Sequence, residues 1–486
     1  MSAHARERHR GAAPTRPATT KATTPRPTSQ PKASQPRATT RSVEPSATQG
    51  SGSPQQTTAP SQPSCQVPQQ QGVWLRVTDQ PFGAVGDGRT DATAAIQRAI
   101  DQASSVGGGT VEVPSGTYRV NPVAVHSVHG LMMRSGVTLR LADDAVLWAL
   151  PTDRTHYSVV SFVQVRNAHL IGGTMRGERY QHTGDGGEWG HGVSIQSSQN
   201  ITVSHVTSTQ MWGDGFYVGQ AWKVEGSRTD NVTLCRVTSP DNRRQGLSIV
   251  DATNVKVLSS TFSGTHGTKP SAGLDIEPEP GNLVENVEVR DSVFERNAGD
   301  GIVLTWGPHN QAHIKNVLIE GNRVLSNNQG IMLHRALQCR VINNTVRNGG
   351  NQTNMWFPMT IHLFEGASGN VVKGNVHIGG KTVDKGTGNT VADAATRAGV
   401  YIVGTPQAGQ TVKAQVLDTD GVPAAVSYQW LVNGEPVPGA TAPEYRLTSD
   451  QVGKTITVSA SFTDGAGHQE NETSEGAVVK PPQQPV

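Results

Sequence analysis

The chain has 486 residues, of which 34% are apolar, with 54 glycines, 29 prolines and a formal net charge of +2. Near-neutral charge argues against a nucleic-acid-binding stripe, and the lack of a run of 18 apolar residues gives no expectation of a membrane-crossing helix. The length suits two or three domains rather than one.

Residues 1–72 are mostly Thr, Pro, Ser, Gln, Ala and Arg. A stretch so poor in large apolar side chains cannot offset its conformational entropy by burial, so it is predicted to be a disordered tail. A Thr/Pro-rich stretch of this kind suits a secreted or surface-attached protein, although MSAHARERHRGAAP carries no apolar core behind its basic residues. Of the three cysteines, Cys65 falls in this tail. Cys235 and Cys339 fall four coils apart, roughly 19 Å at strand spacing, too far for a disulfide. All three are read as small core or surface residues.

The ordered part opens with GAVGDGRTDATAAIQRAIDQASSVGGGTVEVPSGTYRV. Thr90 or Asp91 can cap a helix with apolar positions at Ala95, Ile96, Ala99, Ile100 and Ala103, stopped by Gly107–Gly109. Short strand-like pieces follow. From Gly192 a phrase recurs: GVSI, GFYV from Gly215, GLSI from Gly246, GLDI from Gly273, GIVL from Gly301 and GIML from Gly330. A second phrase alternates with it: NITV from Asn200, NVTL from Asn231, NVKV from Asn254, NVEV from Asn286 and NVLI from Asn316. Two short strands per unit at a drifting period of 23 to 31 residues predict a parallel β-helix. Apolar residues at the first and third positions after each glycine face inward. The asparagines are predicted to stack as an internal ladder. The β-helix is assigned to 73–380 and a polar linker to 381–396. An antiparallel β-sandwich anchored by Trp430 is assigned to 397–480, and a disordered end to 481–486.

The opening segment resembles that of the pectin-lyase-like superfamily, which includes glycoside hydrolase family 28, and the resemblance covers about residues 75–380. The segment YQWLVNGEPVPGAT…YRLTSDQVGKTITV resembles a bacterial immunoglobulin-like repeat. The resemblance implies a right-handed β-helix, all-β with a capping helix, that acts on or binds a polysaccharide. In family 28 the catalytic carboxylates lie on successive coils in NTDGFDI, NQDDCIAI and GHGLSI. WGDGFYV matches the first phrase and places Asp214 at its carboxylate. NRRQGLSI puts Arg244 and Gln245 where paired aspartates would stand, and a GHG with His191 occurs one coil before Asp214. The hydrolytic set therefore does not carry over whole.

Geometry supplies the remaining candidates. Asp275 and Glu277 share one face, roughly 7 Å apart, with Asp214 roughly 9–10 Å away. Carboxylates about 6.5–9.5 Å apart suit inverting glycoside hydrolysis, which makes Asp214, Asp275 and Glu277 the catalytic candidates. Arg243 and Arg244 would hold a uronate carboxylate. His191, Tyr217, Trp306 and His334 complete the substrate-binding candidates, and Trp189 and Trp212 are candidate sugar platforms. The first expectation is a hydrolase acting on an acidic polysaccharide. β-Elimination with calcium held by Asp275 and Glu277 is the second. A non-catalytic adhesive or glycan-binding β-helix, touching a cell wall or surface through its tail or sandwich, is the third.

Overall fold

Strands of three to eight residues cannot bury both faces alone, so the chain must stack them in register. The computed structural model describes residues 65–68, 71–221, 227–305, 313–347, 349 and 359–482. Among the described residues, each coil feeds three parallel sheets of 13, 12 and 10 strands. The first sheet runs from Val73–Arg76 to Thr390–Ala392, the second from Asp87–Asp91 to Ala395–Arg397, and the third from His129–Met132 to Lys381–Asp384. Helix α1 (Thr93–Ser105) lies against the first coils and buries Ile96, Ala99, Ile100 and Ala103. Neither capping candidate occupies the N-cap, which is Ala92; Asp91, one residue earlier, accepts the Thr93 backbone N–H at 2.9 Å.

The recurring phrase forms the third sheet. Phe216, Leu247, Leu274, Ile302, Ile331 and Ile361 pair in unbroken register and are almost wholly buried. Each such side chain contributes about 1.5–3 kcal/mol of burial. The glycines before them are there for want of room. A Cβ on Gly192 or Gly215 would run into Ser208 Oγ or Ser239 Oγ. Those hydroxyls donate to the carbonyls of Gly215 and Gly246 at 2.8 Å.

The predicted asparagine stack forms, but on the outside. Asn200, Asn231, Asn254, Asn286 and Asn316 are exposed and adopt φ of 53–59°. This is the left-handed region that asparagine tolerates best among residues with a Cβ. Amides run from Asn231 to Asn200 at 2.8 Å and from Asn316 to Asn286 at 2.7 Å. The buried ladders use other asparagines: Asn297 to Asn327 at 2.8 Å, and Asn322 to Asn344 to Asn375 at 3.0 Å each.

Two assignments change. Residues 381–396 are not a linker, because Lys381–Asp384, Thr390–Ala392 and Ala395–Arg397 form the last coil. Polar composition misled there, since a terminal coil has less core to bury. Cys65, placed by sequence in a structureless tail, is disulfide-bonded to Cys235 with Cα atoms 5.7 Å apart. Residues 1–64 and 69–70 lie outside the described residues. Beyond the β-helix, Gly399–Val403, Thr411–Leu417 and Glu444–Arg446 form one antiparallel sheet. Ser427–Val432, Thr455–Thr463 and Gln469–Thr473 form another. Both contribute to one core around the fully buried Trp430, whose Nε1–H donates to the Ala442 carbonyl at 2.9 Å.

Denatured but unreduced protein is expected to expose one alkylatable thiol, Cys339, which is free and buried in the fold, and three after reduction. Three reactive thiols without reductant would refute the pairing.

Candidate active site

Side chains at alternate positions of the third sheet point outward, and the register lines up Ser194, Tyr217, Ser248, Asp275 and Val303 on consecutive coils. Asp214 and Arg244 stand at the corners just before two of these strands, and Glu277 just after Asp275. The winding therefore brings five of the sequence-derived residues to one wall: His191, Asp214, Tyr217, Arg244 and Asp275, with Glu277 at its edge.

Arg244 is the centre of this wall. Its Nη1 lies 3.4 Å from both Asp214 oxygens, its Nη2 4.0 Å from Glu277 and its Nε 3.6 Å from Glu188. Only 15% of its side chain is exposed. Asp214 is wholly buried. Its Oδ2 also accepts the Ser248 hydroxyl at 2.9 Å. Burial pushes its carboxyl up to about 6 against the opposing pull of Arg244.

His191 lies 3.5 Å from the same carboxylate, yet this is not an ion pair. Burial, with the nearby positive charges of His156 and Arg244, holds the imidazole well below its ordinary value, so it is neutral. Its Nδ1 accepts the Asp214 backbone N–H at 3.4 Å, which places the ring proton on Nε2. Tyr217 stacks on His191 with ring centroids 4.9 Å apart. Burial and then the Asp214 charge raise its phenol above the usual tyrosine range, so it keeps its proton.

Asp275 is 1% exposed. Its Oδ2 accepts the Gln245 amide at 2.6 Å, and its Oδ1 has no hydrogen-bond partner. Burial first and then the Glu277 charge push it well above the carboxylate range. Glu277 is also raised by burial, with Arg244 pulling the other way. Half of its side chain is in solvent, so the push on it is weaker than on Asp275. The two carboxyls face one another, so the charge of Glu277 favours the neutral form of Asp275, and the deeper burial of Asp275 makes its push the stronger.

Other candidates lie elsewhere. Arg243 turns its guanidinium to the carbonyls of Gly187 at 2.9 Å and Trp212 at 3.2 Å, and stacks on the Trp212 ring at 3.8 Å. It braces the 177–188 loop and does not face the wall. Trp212 is also stacked on His182, which leaves Trp189, 44% exposed, as the accessible indole. His334 packs on Phe364 at 3.6 Å, at the end of a strand two coils past Asp275. Trp306 lies outside the described residues. Calcium does not fit the wall, because Arg244 already supplies the positive charge between Asp214 and Glu277. Sequence reading missed Glu188, Ser248 and Asp300. The Asp300 carboxyl is pushed up to about 7 by burial. Its place one coil beyond Asp275 was the available signal.

Two family models match the chain. One describes rhamnogalacturonase A/epimerase, pectate-lyase-like proteins over residues 74–138, and the other the right-handed β-helix region over 187–316. The fold is a pectate-lyase-like right-handed β-helix. Among curated relatives, the uncharacterized protein YclG of Bacillus subtilis (strain 168) is 26% identical over half of this chain and 44% of its own length. Mannuronan C5-epimerase AlgE5 of Azotobacter vinelandii is 28% identical over 52% of this chain and 25% of its own length. Alginate lyase 7 of the same organism is 29% identical over 46% and 20%. The chain spans less than half the length of each. The mannuronan C-5 epimerase AlgE4 A-module of A. vinelandii superposes with a TM-score of 0.48 at 18% identity, over 67% of this chain and 96% of that one.

A raised carboxyl binds its proton more tightly folded than unfolded. Asp214 therefore adds stability below about pH 4, its unfolded value, and that contribution is lost as pH rises through about 6. The melting temperature of Asp214→Asn minus that of the wild type is expected to grow as pH is raised through this window, read by scanning calorimetry. A flat difference would mean that the carboxyl is ionised throughout.

Proposed function

We propose that this protein modifies an acidic polysaccharide by removing the C5 proton of a uronate unit, the first step common to epimerisation and β-elimination. The observation that carries this reading is the single guanidinium of Arg244 set among carboxyls of unequal exposure. Asp214 and Asp275 are sealed away, and Glu277 alone of the three reaches solvent. Inverting hydrolysis needs two carboxyls open to substrate and water. Proton abstraction beside a carboxylate needs one base and one fixed cation.

The substrate carboxylate pairs with Arg244 Nη2, the edge of the guanidinium nearest Glu277. The C5–H bond breaks, its proton goes to Glu277, and the electron pair moves into the carboxylate held by Arg244. Asp214 and Ser248 fix that guanidinium. Burial and the Glu277 charge favour the neutral form of Asp275, which weakens its opposition to the enolate. From there the pair either takes a proton from the Tyr217 hydroxyl at C5, inverting that carbon, or forms a C4=C5 double bond as the C4–O bond breaks and the leaving oxygen takes the Tyr217 proton. Trp189 offers an apolar face for a neighbouring sugar. The names of the relatives, mannuronan C5-epimerases and an alginate lyase, support this class of chemistry. The Cys65–Cys235 bond supports action in an oxidising, extracellular setting, where tail or sandwich would meet a cell surface.

A second reading is hydrolysis between Glu188 and Glu277. These are the two partly exposed carboxylates that straddle Arg244, with 33% and 49% of their side chains accessible.

Incubation with polyuronates in D2O separates the readings. Deuterium at C5 without chain cleavage marks epimerisation, and ultraviolet absorbance of an unsaturated sugar marks elimination. New saturated reducing ends with no C5 deuterium would overturn the proposal in favour of hydrolysis. Glu277→Gln is expected to lower the rate about 10²–10⁴-fold with the melting curve unchanged. Full activity in that variant would remove Glu277 from the chemistry.

A further inference from the structure

The outer face of the second sheet carries an arrangement that the chemistry on the third sheet does not use. Arg119, Trp148 and Arg176 stand side by side on three consecutive coils, Trp148 in register with both arginines. The Arg119 guanidinium carbon lies 4.0 Å from the Trp148 ring centroid and that of Arg176 lies 4.4 Å away. One cation comes to the indole from the coil before and one from the coil after. Arg119 is only 6% exposed. Among the described residues its guanidinium makes no hydrogen bond or ion pair. Asp91, its register neighbour on the other side, turns its carboxylate to the Thr93 N–H at 2.9 Å. Arg176 makes one neutral contact, Nε to Gln210 Oε1 at 3.1 Å. Burial and then the charge of Arg176 lower the Arg119 pKa.

A guanidinium brought this far out of water ordinarily has an anion beside it. Here two share one indole, and among the described residues neither has a carboxylate partner. Cation–π contact returns about 1–2 kcal/mol and does not neutralise the charge. Against Trp148 and Arg176 opens a pocket of about 90 Å³, also lined by Glu178, Tyr180, Gln181 and Gln210. Glu178 is buried and committed to the Tyr157 hydroxyl and to His182 Nδ1 at 3.0 Å. Tyr180 is 65% exposed, its hydroxyl held on Asp241 at 2.8 Å.

We propose that this surface is a secondary glycan-binding subsite that seats one uronate residue of the polysaccharide. The sugar ring lies against Tyr180 and the Trp148 edge, and its carboxylate pairs with Arg176 and the charge behind it on Arg119. The subsite lies on a different sheet from the catalytic wall, so it holds the polymer near the protein between catalytic events. The identity of the sugar rests on the proposed function. The pairing of an anion with this surface does not.

The test is retention of the full chain on immobilised polygalacturonate or mannuronan, with a neutral glucan and a sulfated glycan as parallel columns and turnover of short uronate oligomers measured alongside. Arg176→Glu, at an exposed position, is expected to weaken polyuronate binding at least tenfold, as loss of a charged hydrogen bond does. Trp148→Ala is expected to weaken it by a similar factor, and Arg119→Lys by less. Oligomer turnover by all three is expected to match the wild type. Wild-type retention by Arg176→Glu and Trp148→Ala together would overturn the subsite. So would equal retention of the wild type on the neutral glucan, and stronger retention on the sulfated column would overturn its assignment to a uronate. If uronate oligomers are not turned over at all, the proposed function fails, while the retention data still decide the subsite.

Discussion

The molecule depends on strict register between successive coils. Parallel strands joined through three sheets let each inward residue meet the same position one coil above and below. A one-residue slip would turn the apolar set to solvent and the polar set to the core. The glycines before the third-sheet strands enforce that register by steric necessity: at Gly192 and Gly215, Ser208 and Ser239 of the second sheet reach the next coil's carbonyl through the space a Cβ would need. The buried asparagine ladders do the same at the corners, since each amide bonds both a backbone group and the next amide. Slipping a coil would strand several buried polar groups together, at roughly 1–3 kcal/mol each.

The same register makes local electrostatics predictable along the sheet and severe where charges meet. On the wall Arg244 stands among four carboxylates, Asp214, Asp275, Glu188 and Glu277, and the first two are almost wholly buried. One cation cannot compensate them all, so burial raises Asp214 and Asp275 in spite of it. The result is a sharp contrast in exposure: Asp214 and Asp275 are almost equally buried and both raised, while Glu277 is half in solvent.

The fold was legible in the sequence because its signal is repetitive. Each GxIxI-like phrase is weak alone, and six of them at a common spacing leave few alternatives. The wall was legible for Tyr217 and Asp275, which sit inside those phrases and whose facing follows from alternation, and for Asp214 through the WGDGFYV phrase. It was not legible where a side chain's direction is set by a loop. Arg243 and Arg244 are neighbours in sequence, yet one braces Trp212 and the other enters the wall. The asparagine ladder went astray for a related reason. Alternation was extended through a residue whose φ is positive, and a left-handed residue turns its side chain out of the strand pattern. The Cys65–Cys235 bond was out of reach because composition alone describes the segment around Cys65.

The departure from the family 28 phrases then acquires a physical meaning. Where those hydrolases carry paired aspartates, this chain carries Arg244 and Gln245. That exchange replaces two negative groups by one positive and one neutral group at the centre of the wall. It removes the acids that would activate water and protonate a leaving group. It also stabilises negative charge at the same point, as on a uronate carboxylate whose C5 proton is leaving. Gln245 completes the change: its amide holds Asp275 from one side and accepts the Ala272 N–H at 2.8 Å from the other. Asp275 is thereby fixed beside Glu277 with its carboxyl raised by burial. On the proposed function, the exchange at these two adjacent corner residues reverses the charge at the centre of the wall, while the winding places Asp214, Tyr217 and Asp275 around it.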